Sequence, residues 1–129
     1  MKGFFNRLLR IDLGKKTYRT EPIPDEVLEK TLGGKGLGTH LLLENNPPGV
    51  DPLSPENRFI VALGPVTDTA VPGSSRYGIF TKSPLTGIYS ESYSGGHVAE
   101  FISRAGYDAV ILEGASEMPV YVEITDEEV

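Results

Sequence analysis

The chain has 129 residues, 12 Lys and Arg against 18 Asp and Glu, a formal net charge of −6, and no cysteine. That length suits one domain with a real core. The acidic balance argues against nucleic acid and anionic membranes as partners, since both need clustered Lys and Arg; the lack of thiols excludes disulfides, thiolate catalysis and Cys-ligated zinc or iron–sulfur centres within these residues.

The N-terminal apolar residues are broken by Asn6, Arg7, Arg10 and Asp12, which is too polar for a signal peptide, and no stretch is long enough to span a bilayer. A cytoplasmic protein is expected. In residues 4–13, Leu9, Ile11 and Leu13 alternate with Arg10 and Asp12, the period of a half-buried strand. Gly14 turns the chain and residues 16–21 return as a polar partner. Pro24 and Asp25 open a helix, because proline suits a first turn and an acid complements the dipole; Val27, Leu28 and Leu32 share its face. Gly33-Gly34-Lys35-Gly36 interrupts, and a second helix runs over 37–45 until Asn46-Pro47-Pro48-Gly49 ends it. Phe59-Ile60-Val61-Ala62-Leu63 is a strand buried on both faces. Residues 66–75 form a long loop of small and polar residues, of the kind that is commonly functional. Strands over 76–82 and 88–93 flank a turn at 83–87. A helix follows over 97–105, with Val98 and Ile102, and Phe101 and Ala105, as buried pairs and Gly106 as its left-handed stop. A buried strand spans 108–113, and Val120, Val122 and Ile124 alternate in a last strand. Asp126-Glu127-Glu128 reads as a solvated acidic run. The order β-β-α-α-β-β-β-α-β-β is an α+β fold, a mostly antiparallel sheet with about three helices, in a single domain over 1–129.

Nothing resembles an autonomous active site, so no catalytic residue is assigned. There is no nucleophile elbow. His40 and His97 read as helix-face or site-lining residues rather than metal ligands. Fifteen residues are glycine, 12% against a usual share of about 7%. Gly33-Gly34-Lys35-Gly36-Leu37-Gly38 follows a helix rather than a strand and lacks the Gly-Lys-Ser/Thr ending of a phosphate loop; a tight helix–helix corner accounts for it better. Ser94-Gly95-Gly96 lies between a strand and a helix, where glycines let a ligand approach the backbone and a helix start favours anions; on local sequence alone an ordinary cap with Gly-Gly for packing is the better reading. Arg76, preceded by Pro72-Gly73-Ser74-Ser75, could clamp a phosphate or simply pair with an acid, and Lys82 has a weaker version of both readings. Pairing about the 83–87 turn brings Arg76 beside Ser94, a composite anion pocket.

Several segments, taken in order and spacing, resemble the N-terminal domain of the tungsten-containing aldehyde ferredoxin oxidoreductases: Gly33-Gly34-Lys35-Gly36-Leu37, residues 51–57 (Asp-Pro-Leu-Ser-Pro-Glu-Asn), Gly64-Pro65-Val66-Thr67-Asp68-Thr69, Ser75-Arg76-Tyr77, residues 81–87, Ser94-Gly95-Gly96 and residues 105–109. The resemblance covers nearly the whole chain. It implies an enzyme that oxidises aldehydes to carboxylic acids and passes electrons to ferredoxin, using tungsten, or molybdenum in some relatives, held by two pterins (a molybdopterin-type, bis-pterin cofactor). It further implies that this region forms a β-rich base for the cofactor, that a magnesium ion bridges the pterin phosphates, and that a 4Fe-4S cluster and most of the substrate pocket come from the enzyme's remaining domains. Carried over by position, Arg76, Tyr93, Ser94, Gly95 and Gly96 are the cofactor-binding residues, with the Tyr93 main-chain carbonyl toward magnesium; well-known members have Asn where this chain has Tyr93. The expectation is a piece of a longer enzyme, inactive alone and able to form a homo-oligomer. The alternatives are a free-standing, non-catalytic pterin- or anion-binding module and a subunit of a related aromatic acyl-thioester reductase.

Overall fold

A computed structural model describes residues 1–125 and 127–129, so Asp126 of the acidic run lies outside the described residues. The elements are β1 (Arg7–Asp12), β2 (Thr17–Pro22), α1 (Asp25–Thr31), α2 (Gly34–Asn45), β3 (Phe59–Leu63), β4 (Tyr77–Lys82), β5 (Tyr89–Ser94), α3 (Val98–Arg104) and β6 (Ala109–Glu113). The six strands form one sheet ordered β2-β1-β6-β3-β4-β5. Only β1 and β6 run parallel; every other neighbouring pair is antiparallel. The α+β reading with a mostly antiparallel sheet and three helices is what the chain adopts.

Both faces of the central strands are covered. On one face Leu28 of α1 and Leu37, Leu41 and Leu42 of α2 pack on Leu8, Ile60, Phe80 and Ile111. On the other, Ala99 and Ile102 of α3 pack with Tyr107 on Leu9, Ile11, Leu63 and Val110. This corrects the half-buried reading of the first strand, where Leu8 through Ile11 are all buried. Arg10 survives there because its guanidinium is matched. It donates to both Glu21 oxygens at 2.9 and 3.0 Å, to Glu113 at 3.1 Å and to Asn45 Oδ1 at 2.9 Å. Arg58 Nε lies 2.9 Å from the same Glu113, an ion pair without hydrogen-bond alignment.

Three further expectations change. The second helix begins at Gly34 rather than Leu37, because its glycines are needed for contact rather than for breaking. A Cβ on Gly36 would stand 2.2 Å from the Thr31 carbonyl oxygen, and one on Gly38 2.1 Å from the Phe80 ring. Leu32 leaves the buried face: it closes α1 in the left-handed conformation, φ 58°, and is 66% exposed. In α3 the buried stripe is Ala99, Ile102 and Ser103, while Val98 and Phe101 are exposed; the small residues face the sheet because they let the helix lie close to it.

The last strand does not form. No strand is assigned among the described residues after Glu113, and Val120 and Val122 are 46% and 38% exposed. Alternation supplies sidedness but no partner, and the segment pairs with neither sheet edge. Instead Ile124 and Val129 pack beneath the α3 side of the sheet. The 51–57 loop is tied to its surroundings by Asn57. Asn57 Nδ2 donates to the carbonyls of Pro52 and Lys82 at 2.9 and 3.0 Å, and its Oδ1 accepts from Asn46 at 2.9 Å. Among the described residues no helix is long and apolar enough to cross a membrane.

Candidate functional site

The β4–β5 hairpin creates the site. Its register sets Tyr77 opposite Ser94, so Arg76, just before β4, and Gly95, just after β5, emerge side by side at one end of the sheet. There a groove of about 530 Å³ opens between the 69–76 segment and the start of α3. Arg76, Gly95 and Gly96 line it, as do Ser75, His97 and Glu100. Tyr93 and Ser94 do not. Arg76 therefore meets the Gly95 region, whereas Ser94, its expected neighbour, and Tyr93 end β5 without lining the groove.

The groove is electrostatically mixed. Among the described residues the Arg76 guanidinium makes no hydrogen bond or ion pair, whereas Arg10, Arg19, Arg58 and Arg104 each meet a carboxylate and Arg7 lies 4.7 Å over the Tyr107 ring. Gly95 and Gly96 leave their side of the groove open, because a Cβ on either would meet nothing within 4 Å. Glu100 opposes the cation. Its carboxyl is held below the usual range by His97, with Nδ1 to Oε2 at 2.9 Å, and then by the Ser75 hydroxyl. That pairing keeps the acid turned to neighbours already present rather than to a ligand.

Tyr93 projects to the opposite, α2 side. Its ring stands against Gly78 and meets the Phe80 ring edge-on, centroids 6.1 Å apart at 84°. Burial and then the Glu91 carboxylate push the Tyr93 phenol up. Glu91 is itself pinned by Lys35 Nζ at 2.8 Å and by the Tyr89 hydroxyl at 2.9 Å. Lys35 of the glycine-rich segment is thus a structural cation at the α2–β5 contact. Ser94 Oγ donates to the neighbouring Gly95 carbonyl at 3.3 Å.

Other expectations sort by distance from this groove. Lys82 sits at the far end of β4, where Nζ donates to the Val50 carbonyl at 2.5 Å. The helix start is weaker than anticipated: α3 has seven residues, and its cap is His97, in helical conformation without a side-chain cap bond. Both histidines prove to have a carboxylate one turn on, His40 with Glu44 at 3.4 Å and His97 with Glu100. Among the described residues no three His, Cys, Asp or Glu side chains group to hold a metal. Sequence reading missed Glu100, although its spacing from His97 was visible, and it missed the bidentate pair of Asp68 with Arg104. There Nε to Oδ2 is 2.9 Å and Nη2 to Oδ1 is 2.8 Å, across 36 residues that no local pattern connects.

Residues 8–129 match the family model described as aldehyde ferredoxin oxidoreductase, N-terminal domain. The chain is 44% identical over all 129 residues to the tungsten-containing aldehyde ferredoxin oxidoreductase of Pyrococcus furiosus, and 43% identical to that of Pyrococcus horikoshii, in each case covering 21% of the relative. The chain therefore spans about a fifth of the length of these relatives. Among solved structures, the active-site complex BamBC of benzoyl coenzyme A reductase with 1,5-dienoyl-CoA superposes with a TM-score of 0.94 at 33% identity, over 98% of this chain and 19% of that one. On sequence and on fold alike, the chain belongs to the aldehyde ferredoxin oxidoreductase N-terminal domain family.

Proposed function

We propose that this chain is the part of a tungsten (or molybdenum) aldehyde:ferredoxin oxidoreductase that carries one side of its bis-pterin cofactor. The observation behind this reading is the Arg76 guanidinium, without a protein partner among the described residues, sharing a groove with the open backbone of Gly95 and Gly96. A planar guanidinium binds a phosphate through two parallel hydrogen bonds. Bare glycine backbone admits a flat heterocycle or a phosphate to contact distance. Arg76 would hold a pterin phosphate, and Gly95 and Gly96 would form the floor beside it. Tyr93 and Ser94 would support that floor, and the Tyr93 main-chain carbonyl would help to hold a magnesium ion that accompanies the cofactor. When bound, the cofactor supplies the oxidation of an aldehyde to its acid, with electrons leaving through a 4Fe-4S cluster to ferredoxin. Cluster ligands would come from other parts of the enzyme, since this chain has no cysteine.

The site can be tested without the metal. Titrating the chain with magnesium pyrophosphate by calorimetry or amide chemical shifts should show binding. Arg76→Ala should weaken it about tenfold or more, because a hydrogen bond to a charged group contributes about 1.5–3 kcal/mol. Gly95→Ala should weaken it too while leaving unfolding unchanged, since its methyl meets only open space. Binding that survives Arg76→Ala at full strength would sink the proposal.

A second reading, a subunit of an aromatic acyl-thioester reductase, rests on the 0.94 superposition with the benzoyl coenzyme A reductase complex. The higher identity to aldehyde oxidoreductases, 44% against 33%, favours the first. Both would use the groove for the same cofactor. Assaying the longer protein with aliphatic aldehydes and with benzoyl-CoA separates them.

A further inference from the structure

We infer that the Asp68–Arg104 ion pair is a clamp that sets the spacing of the two walls of the Arg76 groove, making both residues positioning residues for the anion held there; this rests on the reading of the groove proposed above. The groove is bounded by a ring of chain. One wall runs from Asp68 to Arg76, and the other from Gly95 along α3 to Arg104. At one end the walls are joined by the β4–β5 ladder, where Tyr77 pairs with Ser94. At the other end they are joined by the two hydrogen bonds between Arg104 and Asp68, 2.8 and 2.9 Å long.

Between these ends the 69–76 wall has only short contacts among the described residues: Thr69 Oγ1 donates to the Val66 carbonyl at 2.7 Å and accepts the Val71 N–H at 3.3 Å, and near Arg76 the Ser75 hydroxyl faces Glu100. Residues 68–73 are exposed, and the segment's own backbone bonds are short-range, Ser74 to Val71 and Arg76 to Ser74. The anchor is built at some conformational cost. Asp68 takes φ 57°, a conformation few residues other than Gly, Asn and Asp adopt, and this turns its carboxylate across to α3. Behind it Thr67 is buried, so the chain enters the bridge from a packed residue. On the helix side, Arg104 lies 5.7 Å over the Phe101 ring, which limits the directions its guanidinium can take. A bidentate pair resists sliding and rotation as well as separation. The Asp68 carboxylate therefore holds the wall that ends in Arg76 at a fixed distance from Gly95 and Gly96, and the pair acts on the ligand through Arg76 without touching it.

The test uses Asp68→Asn, which keeps a residue type tolerant of positive φ and removes only the charge, together with Arg104→Ala and Arg104→Lys. Asp68→Asn and Arg104→Ala should each weaken magnesium pyrophosphate binding roughly tenfold, the lower end of the effect of removing a supporting partner from a ligand site. Hydrogen exchange should accelerate across residues 69–76 and stay unchanged in β1, β3 and β6. Arg104→Lys, with one donor direction in place of a fork, should recover part of both. Faster exchange across the whole sheet would mark the pair as a general stabiliser and overturn the inference, as would affinity and exchange both at parent values in Asp68→Asn. If the parent chain fails to bind pyrophosphate, the cofactor reading falls. The clamp is then judged by exchange alone: acceleration confined to 69–76 upholds it, and unchanged exchange overturns it.

Discussion

Replacing Gly38 by alanine probes the contact on which β4, and with it Arg76, is seated. The new methyl would stand 2.1 Å from Cδ2 of Phe80, about 1.4–1.9 Å inside the 3.5–4.0 Å at which carbon atoms rest. Phe80 has nowhere to retreat. It is fully buried, its Cζ already lies 2.5 Å from where a Cβ on Gly78 would be, and the Tyr93 ring closes its edge at 6.1 Å. Gly→Ala inside a helix gains about 1 kcal/mol of propensity, whereas overpacking costs about 1–3 kcal/mol and occasionally more. An overlap this deep belongs at or above the top of that range, leaving a net loss of about 2–3 kcal/mol. For a domain of this size that lowers Tm by roughly 6–12 °C. Urea and thermal unfolding should be measured for Gly38→Ala, Phe80→Leu and the pair. The double variant should be more stable than the sum of the singles by about 1 kcal/mol or more, because the smaller ring makes room. Gly64→Ala, whose methyl would meet nothing within 4 Å, should stay within about 0.5 kcal/mol of the parent. A Gly38→Ala chain as stable as the parent, or strictly additive losses, would refute this account of the core.

Arg10→Ala should cost about 2–4 kcal/mol in urea unfolding, since it leaves Glu21 and Glu113 facing each other without their shared cation. The loss should also depend on pH. The Arg10 hydrogen bonds hold the Glu21 carboxyl below its ordinary 4.5, so the stability it contributes is present above pH 4.5 and fades as pH falls through the lower folded value. The parent should lose stability there, and Arg10→Ala should lose less. Asp108 runs the opposite way: burial pushes its carboxyl above its ordinary 3.8, so its contribution declines as pH rises through the raised value. It nevertheless accepts the backbone N–H of Phe5 and of Arg7, both at 3.1 Å. Asp108→Ala at pH 7 should therefore still cost about 2 kcal/mol, with faster exchange at those two amides as the specific sign. Tyr93→Ala should cost about 1 kcal/mol through the lost edge-on contact with Phe80 and leave pyrophosphate affinity within about twofold, because the side chain lies on the other side of the sheet from the groove. A larger affinity loss would show that the ring supports the groove directly.

The elements that could be read from sequence were those whose signal is local. Phe59–Leu63 and Ala109–Glu113 are apolar runs with polar or glycine ends, and each became a central strand covered on both faces, except that Phe59 at the start of the first is exposed. Arg76 and Gly95 came together because a hairpin converts sequence distance from its turn into spatial distance. What failed depended on partners that no window contains. Val120 to Ile124 has a strand's alternation and no edge to join. Arg10 looked like an outward residue because its matching carboxylates, Glu21 and Glu113, arrive from two other strands. In α3 the apolar residues Val98 and Phe101 suggested the wrong stripe, since close approach to the sheet favours Ala99 and Ser103. The Asp68–Arg104 pair could not be seen at all, because ion-pair geometry across a fold has no periodicity.

The parallel pairing of β1 with β6 also has a consequence in time. Leu8 to Asp12 finds its central neighbour only at Ala109 to Glu113, so the middle of the sheet stays open until nearly the last of these residues has been synthesised. At about 5–20 residues per second, the first strand waits on the ribosome for roughly 5–20 seconds with one edge unmatched. Closing a loop of about 100 residues then costs on the order of 4 kcal/mol of chain entropy before any ladder bond offsets it. The β1–β2 and β4–β5 hairpins can form early, but the groove end of the molecule cannot settle before β6 docks between β1 and β3. This chain should fold slowly for its size, and its newly made first strand is the segment most in need of protection from other chains.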